Sequence, residues 1–263
     1  FSAGGSMAAQ HFVAFSASCT GAGLAAGSPY GCPIIPNPVQ SCQWYNRRDW
    51  NEAGGVEGLW KYTEAKGDKI DSLSNLQRAK LYIFQGSEDY EQDETISQKT
   101  KEYFAHYVPE RSIQTNFRVP AGHAWVNGDG YGGRCGGHSF LQDCNFGLAG
   151  EVLSWGGAST EAAKAKSNAQ HIYEVDQRKY APAGHTARGI SFASTGYVYV
   201  PEKCRRLPLS CKVHVFYHGC EQSVSDVGMQ VVQGSGLNEH AEASSIIVLY
   251  PQADNSILRD STS

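Results

Sequence analysis

Short apolar runs of strand length alternate with segments of helical spacing along the whole chain, and nothing else narrows the possible folds so far. Residues 3–18 (AGGSMAAQHFVAFSAS) carry small and apolar side chains at helical spacing. Residues 21–27 (GAGLAAG) and 81–84 (LYIF) read as buried strands, and 114–119 as a third. Helical pieces are expected over 52–66, 70–76, 95–107 and 146–155, with a proline-rich, loop-like stretch over 28–50 and a glycine-rich stretch with two cysteines over 128–144. A polar, Ala-rich bridge then leads into a strand-rich stretch after residue 168. HIYEVDQ (171–177), TGYVYVP (195–201) and CKVHVFYHG (211–219) precede a helix over 236–243 and the strand SIIVLYP (245–251). This alternation argues for a single α/β domain over 1–263, with a mixed, mostly parallel sheet flanked by helices.

Eight cysteines are many for a reducing compartment, and an even number in a chain with 29 glycines favours disulfides and secretion. No CxxC pair or close His/Cys spacing suggests zinc, so no metal is expected. Cys135 with Cys144, and Cys204 with Cys211, each bracket a short loop and should be bridged; Cys32 with Cys42 is a further candidate pair. Cys19 and Cys220 should not pair with each other. Lys and Arg total 22 against 26 Asp and Glu, a net charge of −4 with no basic run, which argues against nucleic acid as a partner. The longest apolar stretches are strand-sized, well short of the ~20 residues that span a membrane.

The opening FSAGGSMAAQ places a serine among small residues just before a helix. That fits the second half of a G-x-S-x-G turn, with Ser2-Ala3-Gly4 as S-x-G. Such a turn sets the serine oxygen at a helix N-terminus, where the dipole favours developing negative charge. A serine N-cap on a Gly-containing helix gives the same three letters. In hydrolases of this type the acid and then the histidine follow the serine in sequence. Asp89 comes just after LYIF in FQGSEDYEQDETI, with Asp93 as the other candidate and Glu91 beside it. His123 lies in VPAGHAWVNG, again after a strand. The predicted triad is therefore Ser2, Asp89 and His123, with His123 taking the serine proton. FYHGCEQ closes an apolar strand with His218-Gly219, so the backbone N–H groups of Ala3 and Cys220 are the expected oxyanion donors.

Taken together these pieces resemble the catalytic domain of the extracellular poly(3-hydroxybutyrate) depolymerases. The resemblance rests on FSAGGSMAAQHFVAFS, GAGLAAGSPYGC, IDSLSNLQRAKLYIFQGSEDYEQDETI, AGHAWVNGDGYGGRCG, LQDCNFGLAG, TGYVYVPEKC, VHVFYHGCEQS and GLNEHAEASSIIVLYPQA, in this order. Because the serine precedes the HG strand, the arrangement is similar to the type 2, circularly permuted members. The resemblance implies a circularly permuted α/β-hydrolase fold and the triad Ser2, Asp89 and His123. It also implies a secreted enzyme that hydrolyses water-insoluble polyhydroxyalkanoate without a cofactor, as a monomer and away from membranes. Another secreted esterase, such as a feruloyl or acetylxylan esterase, is the competing enzyme reading, and an inactive gene fragment the non-enzymatic one.

Trp125, two residues after His123, is a candidate for substrate contact or for propping the histidine loop. Tyr30, Trp44, Tyr45 and Trp50 either meet a polymer surface or form a local core with Trp60. The chain opens at Phe1 inside the serine turn, and ILRDSTS at its other end departs from the family pattern. A preceding strand is therefore expected to be missing beside GAGLAAG, leaving a gap there and a fragment of low stability and activity.

Overall fold

The computed structural model describes residues 1–158 and 166–254, so part of the Ala-rich bridge and the ILRDSTS tail lie outside the described residues. The chain divides into two compact units, Phe1–Gly157 and Ala158–Ser263.

In the first unit, helix α1 (Ala3–Ala14) turns Ala9, Phe12 and Val13 inward at helical spacing and leads to strand β1 (Gly21–Ala25). Helix and strand touch backbone to backbone. A Cβ on Gly27 would sit 2.6 Å from the carbonyl carbon of Gly5, and one on Gly5 2.8 Å from the Ala25 oxygen. Only glycine fits this crossing, and it sets the start of α1 over the end of β1. Short helices α2 (Pro38–Ser41), α3 (Arg47–Glu52) and α4 (Gly55–Glu64) follow. The helical piece expected over 52–66 is α4, which starts only at Gly55 because Gly54 adopts a left-handed φ of 82° that separates it from α3. The expected helix over 70–76 is a 3₁₀ turn, Leu73–Arg78.

Strand β2 (Lys80–Phe84) pairs in parallel with β1, and β3 (Ile113–Asn116) in parallel with β2. Between them runs α5 (Glu94–Ala105), started by Asp93, whose carboxylate accepts the Thr95 N–H at 2.8 Å. Such a cap contributes about 1 kcal/mol. Ile96, Tyr103 and Phe104 of α5 join Phe12, Val13, Leu24, Leu81 and Ile83 in the core. The aromatic loop resolves largely inward. Tyr30 and Trp50 are buried in that core, Tyr45 and Trp60 pack against it, and Trp44 stays exposed. Trp50 donates its indole N–H to the Ser41 carbonyl, and Trp60 to that of Tyr103.

The glycine-rich stretch is not a plain loop. Strands β4 (Trp125–Asn127), β5 (Gly133–Arg134) and β6 (Leu141–Asp143) form a small parallel sheet in the order β4-β6-β5. The Cys135–Cys144 disulfide closes it, and α6 (Leu148–Trp155) follows. Among the described residues β1 pairs only with β2.

The second unit holds the mixed sheet. Strands β7 (Ile172–Asp176), β8 (Thr195–Tyr199), β9 (Lys212–Val215) and β10 (Ile246–Tyr250) lie in the order β7-β8-β10-β9. The first two pairings are antiparallel and β10 with β9 is parallel. Helices α7 (Glu202–Arg206), α8 (Val224–Val227), α9 (Gln230–Gly234) and α10 (Leu237–Ser244) complete it. The described strands thus form three hydrogen-bonded sheets rather than the one expected. All three expected disulfides are present: Cys32–Cys42, Cys135–Cys144 and Cys204–Cys211. Cys19 and Cys220 do not pair with each other, as expected, and both are free thiols.

Candidate active site

Ser2 precedes α1 and lies against the end of β1. Its N–H donates to the Ala25 carbonyl at the end of β1 (2.8 Å), and its own carbonyl accepts the Ser6 N–H at 3.0 Å in the first turn of the helix. Between these two anchors its backbone is forced to φ 56°, ψ −128°, a region that a residue with a Cβ rarely enters. Strain of this kind is what a nucleophile turn between strand and helix imposes.

Asp89 lies in the loop after β2. Its side chain is 1% exposed, and its Oδ1 accepts the backbone N–H groups of Glu91 and Gln92 at 2.9 and 3.0 Å. Those two bonds satisfy one carboxylate oxygen and aim the other. Asp93, the other acid considered, faces α5 as its cap, and Glu91 meets Asp89 through its backbone.

His123 lies in the loop between β3 and β4. Its Nδ1 is 2.9 Å from Asp89 Oδ2 and its Nε2 is 2.9 Å from Ser2 Oγ. A carboxylate oxygen can only accept, so Nδ1 carries the proton in the neutral ring and Nε2 presents its lone pair to the serine hydroxyl. The Phe1 ring packs against the imidazole with centroids 4.8 Å apart. No pattern of residues announces that contact.

The two loops carrying Asp89 and His123 are stitched together by their backbones. Ser87 N–H donates to the Val119 carbonyl (2.8 Å) and Glu88 N–H to that of Ala121 (3.0 Å). Immediately before these bonds comes Gly86, where a Cβ would lie 2.1 Å from the Ala121 oxygen. Gly86→Ala must therefore push the loops apart. It is expected to cost about 1–3 kcal/mol of stability and about 10- to 100-fold in turnover through the displaced Asp89–His123 pair. Thermal melts alongside kcat on a soluble ester check both, and wild-type values for each would show that the loops can separate without harm.

Of the two expected oxyanion donors, Ala3 opens α1, directly after Ser2. Cys220 belongs to the second unit, in the turn beyond β9, and is exposed. That turn is firmly held. His218 Nδ1 donates to the Gly219 carbonyl (2.8 Å), its Nε2 accepts the Ala253 N–H (3.0 Å), and Gly219 N–H donates to Gln222 Oε1. His218 is therefore occupied at both nitrogens as a neutral ring that ties the turn to the segment after β10. Trp125 is buried, 3% exposed, on β4. A tryptophan so enclosed offers little face to a polymer, which favours its reading as support for the histidine loop. No group of three or more metal-ligating side chains is found among the described residues.

No family model matches the chain. It is 33% identical over 266 aligned positions to the poly(3-hydroxybutyrate) depolymerase of Delftia acidovorans, and 29% identical to the polyhydroxybutyrate depolymerase of Talaromyces funiculosus. These alignments take in 95% and 96% of the chain. Among solved structures it resembles a PHB depolymerase carrying a serine-to-alanine substitution and complexed with an R3HB trimer. The TM-score is 0.80 at 27% identity, over 96% of this chain and 77% of that one. The crystal structure of PHB depolymerase from Penicillium funiculosum gives 0.78 at 26% identity, with the same coverage. The chain is thus similar in sequence and in fold to polyhydroxybutyrate depolymerases. Its fold is accordingly of the α/β-hydrolase type. It spans half the length of the Delftia protein and 72% of that of the Talaromyces one.

Proposed function

We propose that this chain is the catalytic domain of a secreted serine esterase that hydrolyses poly(3-hydroxybutyrate) and related polyhydroxyalkanoates. The observation that carries the reading is the hydrogen-bonded line Ser2–His123–Asp89, three side chains presented by three separate loops and meeting at 2.9 Å. The relatives' names supply the substrate class.

In this reading Ser2 Oγ attacks an ester carbonyl of the polymer as its proton passes to His123 Nε2. Asp89 holds the ring in the tautomer that accepts that proton and stabilises the imidazolium that results. The carbonyl oxygen, now negative, is met by the Ala3 N–H at the start of α1 and, on the strength of the sequence, by the Cys220 N–H. His123 then returns the proton to the departing hydroxyl end of the polymer, leaving an acyl group on Ser2. Water activated by His123 attacks that acyl group and frees the new carboxylate end. The steps call for no metal or organic cofactor. Three disulfides support an oxidising, extracellular setting, and the chain is read as one catalytic domain acting as a monomer.

The test is clearing of a poly(3-hydroxybutyrate) film by the full-length protein, with feruloyl and acetylxylan esters assayed in parallel. Clearing by the wild type and its loss in Ser2→Ala are expected. Hydrolysis of the plant-wall esters with an intact film would transfer the assignment to that class of esterase.

A further inference from the structure

His123 is oriented from one side by Asp89, but its own backbone lies in a loop that no strand ladder holds. The residue before it, Gly122, is buried, and its N–H donates to Gln142 Oε1 at 3.0 Å. The same oxygen accepts the Gly136 N–H, also at 3.0 Å. The amide nitrogen of Gln142 donates to the carbonyls of Gly137 (2.8 Å) and Ser139 (2.9 Å). A glutamine side chain has two acceptor sites and two donor hydrogens, and here all four are used. Gln142 is wholly buried and its bond to the Gly122 N–H is buried with it, while the other three bonds are partly buried.

The strand that carries Gln142 is itself fixed. It is β6, paired in register with β4, and the disulfide between Cys135 and Cys144 closes the loop around it. Trp125 N–H donates to the Phe140 carbonyl, so the chain on either side of His123 is tied to this same loop, at Gly122 and at Trp125. We infer that Gln142 is a positioning residue for His123, a buried four-way junction through which the disulfide-closed loop 135–144 sets where the imidazole stands. Asp89 fixes the direction of the ring, and Gln142 fixes the backbone from which it projects. The inference rests on the triad reading above. It assigns Gln142 no contact with substrate.

The test separates positioning from mere stability. Gln142→Met keeps the shape and removes all four bonds. Gln142→Glu keeps the acceptors for Gly122 and Gly136 and removes the donors. Working sites are counted by stoichiometric organophosphate labelling. Then kcat and KM per labelled site are measured on a soluble ester, well below each variant's Tm. Gln142→Met is expected to lower kcat about 10- to 100-fold with KM changed by no more than about twofold. Gln142→Glu should fall between it and the wild type. The imidazole N–H proton resonance, identified by its loss in His123→Ala, should shift or broaden in Gln142→Met. Wild-type kcat per site in Gln142→Met, with only Tm lowered, overturns the inference. Should Gln142→Met not fold, the same result in Gln142→Glu overturns it. Activity surviving in Ser2→Ala or His123→Ala would instead overturn the triad reading itself.

Discussion

Replacing Ser2 by alanine is expected to lower kcat on a soluble short-chain ester by about 10⁶-fold. The size follows from what the substitution removes. Without the hydroxyl there is no acyl-enzyme, and His123 loses the partner it holds at 2.9 Å. What survives is whatever the oxyanion donors and substrate binding achieve for direct attack by water, which leaves the rate well above the uncatalysed one. The fold should tolerate the change, since the backbone bonds of residue 2 to Ala25 and Ser6 do not involve the side chain. A loss smaller than about tenfold, measured with material free of wild-type carry-over, would place the nucleophile elsewhere.

Asp89→Asn comes second, with an expected loss in kcat of about 10⁴-fold. The volume hardly changes, but the chemistry of the contact reverses. An amide that keeps its oxygen on the Glu91 and Gln92 N–H groups turns its NH₂ toward His123 Nδ1. Nδ1 must then accept, the proton moves to Nε2, and the lone pair that Ser2 needs is gone. Raising the pH does not restore a tautomer, so the loss should persist across the whole profile. Asp93→Asn, which touches only the α5 cap, serves as the comparison. Equal activity in Asp89→Asn and wild type would remove Asp89 from the proposed mechanism.

The strands and the triad were legible in the sequence for the same reason. LYIF, GAGLAAG and IIVLYP are compact apolar runs, and the polar residues that matter sit just past the C-terminal ends of such runs, where a parallel sheet gathers them. Asp89 and His123 could therefore be proposed by order and placement, and Ser2 by its small neighbours just before a helix. Gly54 was harder, because a glycine inside a helical pattern gives no notice of whether it will bend or break the helix. The sheet β4-β6-β5 left no periodic trace, its strands being only two or three residues long and set among glycines. Gln142 was invisible on that account: one amide side chain in a polar stretch has no pattern, and its importance comes from four backbone groups brought around it by the fold. The aromatic loop was undecidable by composition, since Trp50 inside and Trp44 outside belong to the same short segment.

The three disulfides join cysteines only 10, 9 and 7 residues apart. Chain segments of that length meet on the order of 10–100 ns after any collision-free start, far faster than thiol oxidation proceeds. Eight cysteines admit on the order of 100 complete pairings, yet each native pair lies among the shortest separations in the chain, with Cys211 and Cys220 the one comparably close non-native pair. Oxidation of a reduced, unfolded chain should thus reach Cys32–Cys42 and Cys135–Cys144 early, while Cys204 and Cys220 compete for Cys211. Each such ring can then close before the strands of the three sheets have found one another.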